Sequence, residues 1–144
     1  MITNWDRKFL RLAEHVAGWS KDPSTKTGAV IAETKTNILV SIGYNGFARG
    51  VDDSPERYAN RDIKYPQIVH CERNAIIFAR RDVSNCTLYT WPFMSCETCA
   101  GMVINAGIKR VVAPYSENPR WTDSFAKTQE QFDQAIVELI LMRD

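Results

Sequence analysis

No apolar run in this chain approaches the roughly 20 residues that a membrane-spanning helix needs, so a bilayer span is excluded as its organising feature. Charge of one sign is not in surplus either. The 18 Lys and Arg nearly match the 17 Asp and Glu, for a formal net charge of +1. There is thus no basic surplus of the kind nucleic-acid binders show, a local patch being left open, and a long polyanion is disfavoured as partner. Cysteine is sparse at four residues, and histidine sparser at two. The amino terminus has no signal-peptide apolar core, so the disulfide scaffold of an exported protein is not expected, and the chain reads as cytoplasmic. Repeats, low-complexity tracts and linkers are missing too. The expectation is one domain over residues 1–144 with a core of its own.

What is present is strongly periodic. Thr3 or Asn4 can cap a first helix in which Phe9, Leu12, Ala13, Val16 and Ala17 recur at helical spacing, ending near Ser20. "TGAVIA" and "NILVSIG" read as two short strands around a polar turn at Glu33–Thr36. Tyr44 to Gln67 lacks clear periodicity. Then come a helix over His70–Arg81, a strand at Cys86–Trp91, and a helix over Glu97–Ala106 closed by Gly107. A strand at "KRVVAP", a helix over Trp121–Gln134 and a strand at "IVELILM" complete the chain. An opening hairpin followed by alternating helices and strands predicts an α/β chain with a mixed five-stranded sheet and helices on both faces. Right-handed crossovers would make the last three strands parallel.

The chemistry gathers at two helix starts. His70 opens one, with Glu72 two residues on; Cys96 and Cys99 flank the start of the next with Cys-x-x-Cys spacing. Residues three apart share a helix face, so both thiols can point to one place, and a helix amino terminus lowers a thiol pKa. Two thiolates and a neutral imidazole make a three-ligand zinc site whose fourth position stays open for water, as a catalytic zinc requires. Glu72 stands off the ligand direction of His70. It can face that water without binding the metal, take a proton and hand it to a leaving group. His15, in the first helix, reads as structural, and Cys71 and Cys86 as core residues. A zinc-stabilised interaction domain would want a fourth Cys or His, and none is placed for it.

H-x-E followed by P-C-x-x-C is the signature of the zinc nucleobase deaminases, and these residues resemble it. There are two departures. "WPFMSC" puts Pro92 four positions before Cys96 with Ser95 adjacent, a loop one residue longer than usual, and Cys71 stands where a small apolar residue is common. "SKDPSTKTGAVIA" (Ser20–Ala32) and "SIGYNGFARGVDD" (Ser41–Asp53), with "HCERNAI", "CTLYT" and "INAGIKRVV", closely resemble the deoxycytidylate deaminase family, from Ala13 to Leu139. The resemblance implies the three-layer α-β-α cytidine-deaminase-like fold and zinc-dependent hydrolysis of dCMP to dUMP and ammonia, feeding thymidylate synthesis. It also implies a homo-oligomer, commonly a hexamer, regulated by dCTP and dTTP.

On the same resemblance Asn45 matches an asparagine near the substrate sugar, although Tyr-Asn-Gly is also a good turn. Arg49 matches an arginine of the effector loop; the alternative is an ordinary solvated arginine. Gly46 lets backbone approach phosphate, and Asp53 with Asp52 could hold a Mg2+ that accompanies a triphosphate. Lys26 borders the expected substrate phosphate, with Lys21 as the other candidate. Tyr115 follows the fourth strand, where relatives place an aromatic near the base, and packing is its alternative role. Free cytidine, a 5-substituted dCMP and guanine remain open as other substrates of the superfamily.

Overall fold

A reciprocal cap starts the first helix. In the computed structural model, which describes residues 1–143, the Thr3 hydroxyl accepts from the Asp6 N–H at 3.1 Å. The Asp6 carboxylate accepts from the Thr3 N–H at 3.0 Å in return. α1 (Asn4–Ala17) then turns Phe9, Leu10, Ala13, Val16 and Ala17 into the core. β1 (Gly28–Glu33) and β2 (Leu39–Tyr44) form the expected hairpin. Further along lie β3 (Gly46–Phe47), α2 (Pro55–Ala59), α3 (Arg61–Gln67), β4 (Ile68–Val69) and α4 (Cys71–Ala79). β5 (Cys86–Trp91), α5 (Glu97–Asn105), β6 (Arg110–Pro114), α6 (Thr122–Ala135) and β7 (Glu138–Met142) follow.

The main sheet has five strands in the order β2-β1-β5-β6-β7. β1 is antiparallel to both neighbours, and β5, β6 and β7 run parallel, as right-handed crossovers predict. α1 covers one face, packing Phe9, Leu10 and Ala13 on Val30, Ala32, Tyr89 and Val112. On the other face Cys71 and Ala75 of α4, Ala100 and Val103 of α5 and Phe132 of α6 meet Ala29, Ile31, Leu88 and Val111. The three-layer α-β-α expectation therefore holds.

This topology decides where a site can form. α4 leads into β5 and α5 leads out of it, so both helices begin at the carboxyl end of β5. In open α/β sheets that end is where ligands bind. The aperiodic stretch before α4 is built as well: α2 and α3 stand between β3 and β4, which pair with each other through Gly46↔Val69 and Phe47↔Ile68. Elements this short carry no readable period. A 3₁₀ turn at Pro119–Trp121 shifts the start of α6 to Thr122, and the left-handed Ile136 (φ 58°) ends it and delays β7 to Glu138.

Asp6 also anchors the far end of the sheet. Burial alone would raise its carboxyl, but two bonds from Arg110 (2.7 and 2.9 Å), the Thr3 N–H and the Tyr89 hydroxyl (2.7 Å) overcome that and hold it at about 2. A depressed carboxyl contributes stability above its unfolded pKa of about 4 and loses it as pH falls toward the folded value. Arg110→Met should cost about 3–5 kcal/mol near neutral pH by leaving a buried carboxylate without its cation. That difference should shrink between pH 4 and 2, which urea unfolding across pH measures.

Candidate active site

Both helix starts give the N-cap position to a residue that does not cap. His70 precedes α4 and Cys96 precedes α5, and neither makes a side-chain capping bond, although Cys96 Sγ lies 3.1 Å from the Thr98 hydroxyl. The side chains turn toward each other instead. His70 Nδ1 lies 3.1 Å from Cys99 Sγ and 3.6 Å from Cys96 Sγ. All three ligand atoms fall within 4.8 Å of one another, and among the described residues no fourth His, Cys, Asp or Glu joins them.

The thiols and imidazole behave as one coupled group. Hydrogen bonding from the Cys99 thiol, together with His70 and Thr98, pulls Cys96 down to about 3 against the effect of burial. Cys99, which keeps the proton, is pushed up by its bond to Cys96 and by burial. The same Cys96 sulfur raises His70. Two helix amino termini aimed at one spot favour negative charge there.

The donor set fits zinc. Zinc bond lengths to sulfur and nitrogen with tetrahedral angles put a nitrogen and a sulfur about 3.6 Å apart. The His70–Cys96 separation meets that distance, and the His70–Cys99 separation needs to open by about half an ångström. His70, Cys96 and Cys99 would hold the ion through Nδ1 and two sulfurs, leaving one position for water.

Glu72 lies in the first turn of α4, buried, with Oε1 accepting from the Cys71 thiol at 3.2 Å. It stands outside the ligand cluster. A carboxylate beside three metal donors, without joining them, can take and return protons there. Cys71, expected in the core, is indeed buried, and its thiol steadies Glu72 as well. Cys86 is buried likewise. His15 stacks edge-on against Trp19.

The remaining predicted residues are more dispersed. Asn45 is buried with both ends of its amide committed: Oδ1 accepts from the Thr27 N–H at 2.9 Å and Nδ2 donates to the Thr25 carbonyl at 2.9 Å. It clamps the loop before β1 and does not present a free amide. Lys26 is exposed and bonds the Ser20 carbonyl. Tyr115 is tied to the β7 edge: its N–H donates to Met142 O at 2.7 Å, its hydroxyl donates to Glu117, and the Arg143 guanidinium covers its ring. Gly46 sits in β3. Arg49 lies over the Phe78 ring at 4.7 Å. Asp53 pairs with Lys21 at 2.9 Å, and Asp52 accepts from the Ser54 N–H.

Sequence reading missed several neighbours. Lys64 of α3 is buried in an ion pair with Asp22 at 2.8 Å and also bonds Ser24, which pins the "DPST" loop under α3. Arg73 donates to Thr98; burial works against its charge, and the Cys99 and Cys96 sulfurs more than offset that. Ser95, beside Cys96, is buried with no partner for its hydroxyl, while its carbonyl accepts from Thr128 at 2.9 Å. Lys64 had no signal, because it lies in the aperiodic stretch. Arg73 had one: it is charged yet falls between His70 and the apolar face of α4.

Comparison with known proteins bears on the same residues. Residues 3–114 match the cytidine and deoxycytidylate deaminase zinc-binding region. The chain belongs to that family. It is 43% identical over 142 residues to an uncharacterized deaminase in the luxG 3′ region of Aliivibrio fischeri, covering 96% of this chain and 94% of that one. It is 41% identical over 114 residues to the mouse deoxycytidylate deaminase, covering 75% of this chain and 63% of that one, so it spans under two thirds of the mouse protein's length. A dCMP deaminase from the cyanophage S-TIM5, solved with dCMP and dUMP, superposes with a TM-score of 0.75 at 23% identity over 99% of each chain. That likeness establishes the deaminase fold.

Cys99→Ala should remove the metal, destabilise the fold and leave Cys96 without its partner, because metal binding and folding are coupled. Wild-type protein should carry about one zinc per chain. Elemental analysis checks both, and full zinc content in the variant would overturn the ligand assignment.

Proposed function

We propose that this chain hydrolyses dCMP to dUMP and ammonia with a zinc ion held by His70, Cys96 and Cys99. The observation that carries the reading is the convergence of those three donors and Glu72 at the carboxyl end of β5, in a chain of the cytidine and deoxycytidylate deaminase family. Named deoxycytidylate deaminases among its relatives supply the substrate class. Zinc, when bound, supplies the Lewis acid that makes water nucleophilic near neutral pH. Glu72 then does the proton work. Its carboxylate takes one proton from the attacking water and delivers it to the ring nitrogen next to the reacting carbon. It then takes the second from the hydroxyl now on that carbon and passes it to the departing amino group, which leaves as ammonia. The thiol of Cys71 holds one of its oxygens, leaving the other to face the substrate.

The loop from Ser20 to Thr27 borders the nucleotide in this reading. Asn45, Asp22 and Lys64 hold its backbone, Lys26 brings a cation to it, and Tyr115 stands at the end of β6 on the side of the base. We place the effector response on the loop Tyr44–Asp53, where Gly50 (φ 84°) is open on every side and Arg49 is solvent-facing over Phe78. Gly46, Arg49 and Asp53 would meet a dCTP or dTTP that arrives with Mg2+, releasing Asp53 from Lys21. The working form in this reading is a cytoplasmic homo-oligomer, a hexamer, which rests on the family resemblance.

Glu72→Gln should keep zinc and fold and lose at least 10²-fold in kcat, since general acid–base groups contribute on the order of 10²–10⁴-fold. Retention of about a tenth of wild-type turnover or more removes Glu72 from the mechanism. Ultraviolet absorbance with dCMP, dCTP, cytidine and deoxyadenosine tests the substrate class, and dCMP should give the highest kcat/KM. dCTP should activate and dTTP inhibit, and Arg49→Ala should weaken both responses without loss of zinc. Calorimetry that detects neither triphosphate outside the active site at millimolar concentration would exclude this regulation.

A further inference from the structure

A nucleoside 5′-monophosphate brings a dianion to the mouth of the site, and some group must tell it from the bare nucleoside. The basic residues around the mouth differ in whether their charge is already met. Lys64 is paired with Asp22 and Lys21 with Asp53. Arg73 lies against the metal-site sulfurs and Thr98. Lys26 folds back on the Ser20 carbonyl. Arg120, like Lys26, enters no ion pair among the described residues, but it differs in offering a planar fork whose partners are only the Tyr65 hydroxyl and the Trp121 ring.

Its position is fixed from two sides. On one side, the segment that carries it is bound to the turn holding Cys96. Ser124 donates to the Glu97 carboxylate and Thr128 to the Ser95 carbonyl, so α6 grips the residues immediately before and after Cys96. Phe93 of the same turn packs against Trp121 at 5.5 Å and Phe125 at 5.8 Å between ring centroids. Arg120 stands one residue ahead of that aromatic cluster, with its guanidinium 4.9 Å from the Trp121 ring. On the other side, Arg120 Nη2 donates to the Tyr65 hydroxyl at 3.1 Å, and Tyr65 lies in α3 five residues before His70. Arg120 thus links the segment leading to His70 with the segment that grips the cysteine turn. A planar fork with most of its N–H donors unspent, lying over an indole and held by one phenol bond, is suited to close on phosphate oxygens.

We infer that Arg120 binds the 5′-phosphate of the substrate and sets the preference for nucleotide over nucleoside; this rests on the reading of dCMP as substrate. Tyr65 parks the guanidinium when the site is empty, with the Trp121 ring beside it. No sequence motif announced the role, because the residue falls in the irregular stretch between β6 and α6.

The experiment compares kcat/KM for dCMP and deoxycytidine in wild type, Arg120→Gln, Arg120→Lys and Tyr65→Phe, with calorimetric binding of dUMP and deoxyuridine alongside. Loss of a charge-assisted bidentate contact should lower the dCMP:deoxycytidine ratio roughly 10- to 100-fold in Arg120→Gln and weaken dUMP binding to a similar degree. Deoxyuridine binding, zinc content and Tm should stay near wild type. Arg120→Lys should recover part of the ratio, and Tyr65→Phe should keep it within about threefold, since the cation remains. A ratio in Arg120→Gln within about twofold of wild type overturns the inference, and so does an equal fall for both substrates. If Tyr65→Phe reproduces the full loss, the Tyr65–Arg120 bridge is structural and the inference also fails. Wild-type protein inactive on dCMP would overturn the substrate reading itself, which a normal wild type with an unchanged Arg120→Gln ratio would leave standing.

Discussion

At Gly43, α4 is seated on β2 with no side chain between the two backbones. A Cβ at Gly43 would stand 2.5 Å from the Ala75 nitrogen and 2.6 Å from the Cys71 oxygen, so main chain meets main chain. Two polar contacts complete the seat. Ser41 Oγ donates to the Ala75 carbonyl at 2.7 Å, and Asn74 Nδ2 donates to the Tyr44 carbonyl at 2.7 Å. These contacts set the height and rotation of the helix, and the positions of His70 and Glu72 follow, because both lie within its first turn. α5 is located differently, through its outer neighbour: α6 holds Ser95, Glu97 and the Glu97 carbonyl through Thr128, Ser124 and Gln131. One arm of the site is thus fixed from the sheet and the other from the outer helix, and the ligand cluster forms where the two meet.

The polar interior around the site is organised by charge more than it is stabilised by it. A buried ion pair such as Lys64–Asp22 returns little net stability once both ions have been stripped of water. It does fix a geometry. Asp22 Oδ1 accepts from the Ser24 and Thr25 N–H groups, while Lys64 reaches the same carboxylate from α3. The loop that follows α1 is thereby tied to a helix some forty residues further along, and Asn45 adds a tie to the end of β2. Such a loop keeps its shape when a ligand arrives, so little ordering remains to be done on binding.

Most of the fold was legible because its large elements carry clear periods. The strand at Cys86–Trp91 has the bounds read from the sequence, and α1, α4 and α5 shift by one to three residues at their ends. The ligand cluster was legible for a chemical reason: His70, Cys96 and Cys99 are rare residue types at helix starts, where few structural roles suit them. What escaped lay in contacts between irregular segments. Lys64, Ser95 and Arg120 owe their surroundings to tertiary packing, and nothing within a few positions of them signals it. Asn45 shows the converse limit. Its residue type and neighbourhood pointed to a ligand contact, yet the backbone of the adjacent loop takes both ends of its amide.

The pairing of β3 with β4 has a consequence for how this chain can vary. Gly46 bonds across to Val69 and Phe47 to Ile68, so the stretch between them leaves and returns at one place. Everything from Ala48 to Gln67 is a closed excursion, and its ends are latched immediately before His70. Lys64 and Tyr65 within it hold Asp22 and Arg120, so residues added ahead of α3 raise mainly the entropy of closing a longer loop, about 0.6 kcal/mol for each doubling of length. The register of the main sheet and the seat of α4 lie outside the latch. The part of the excursion ahead of α3 is therefore the place where length can be gained or lost, by evolution or by grafting, while His70, Cys96 and Cys99 stay put.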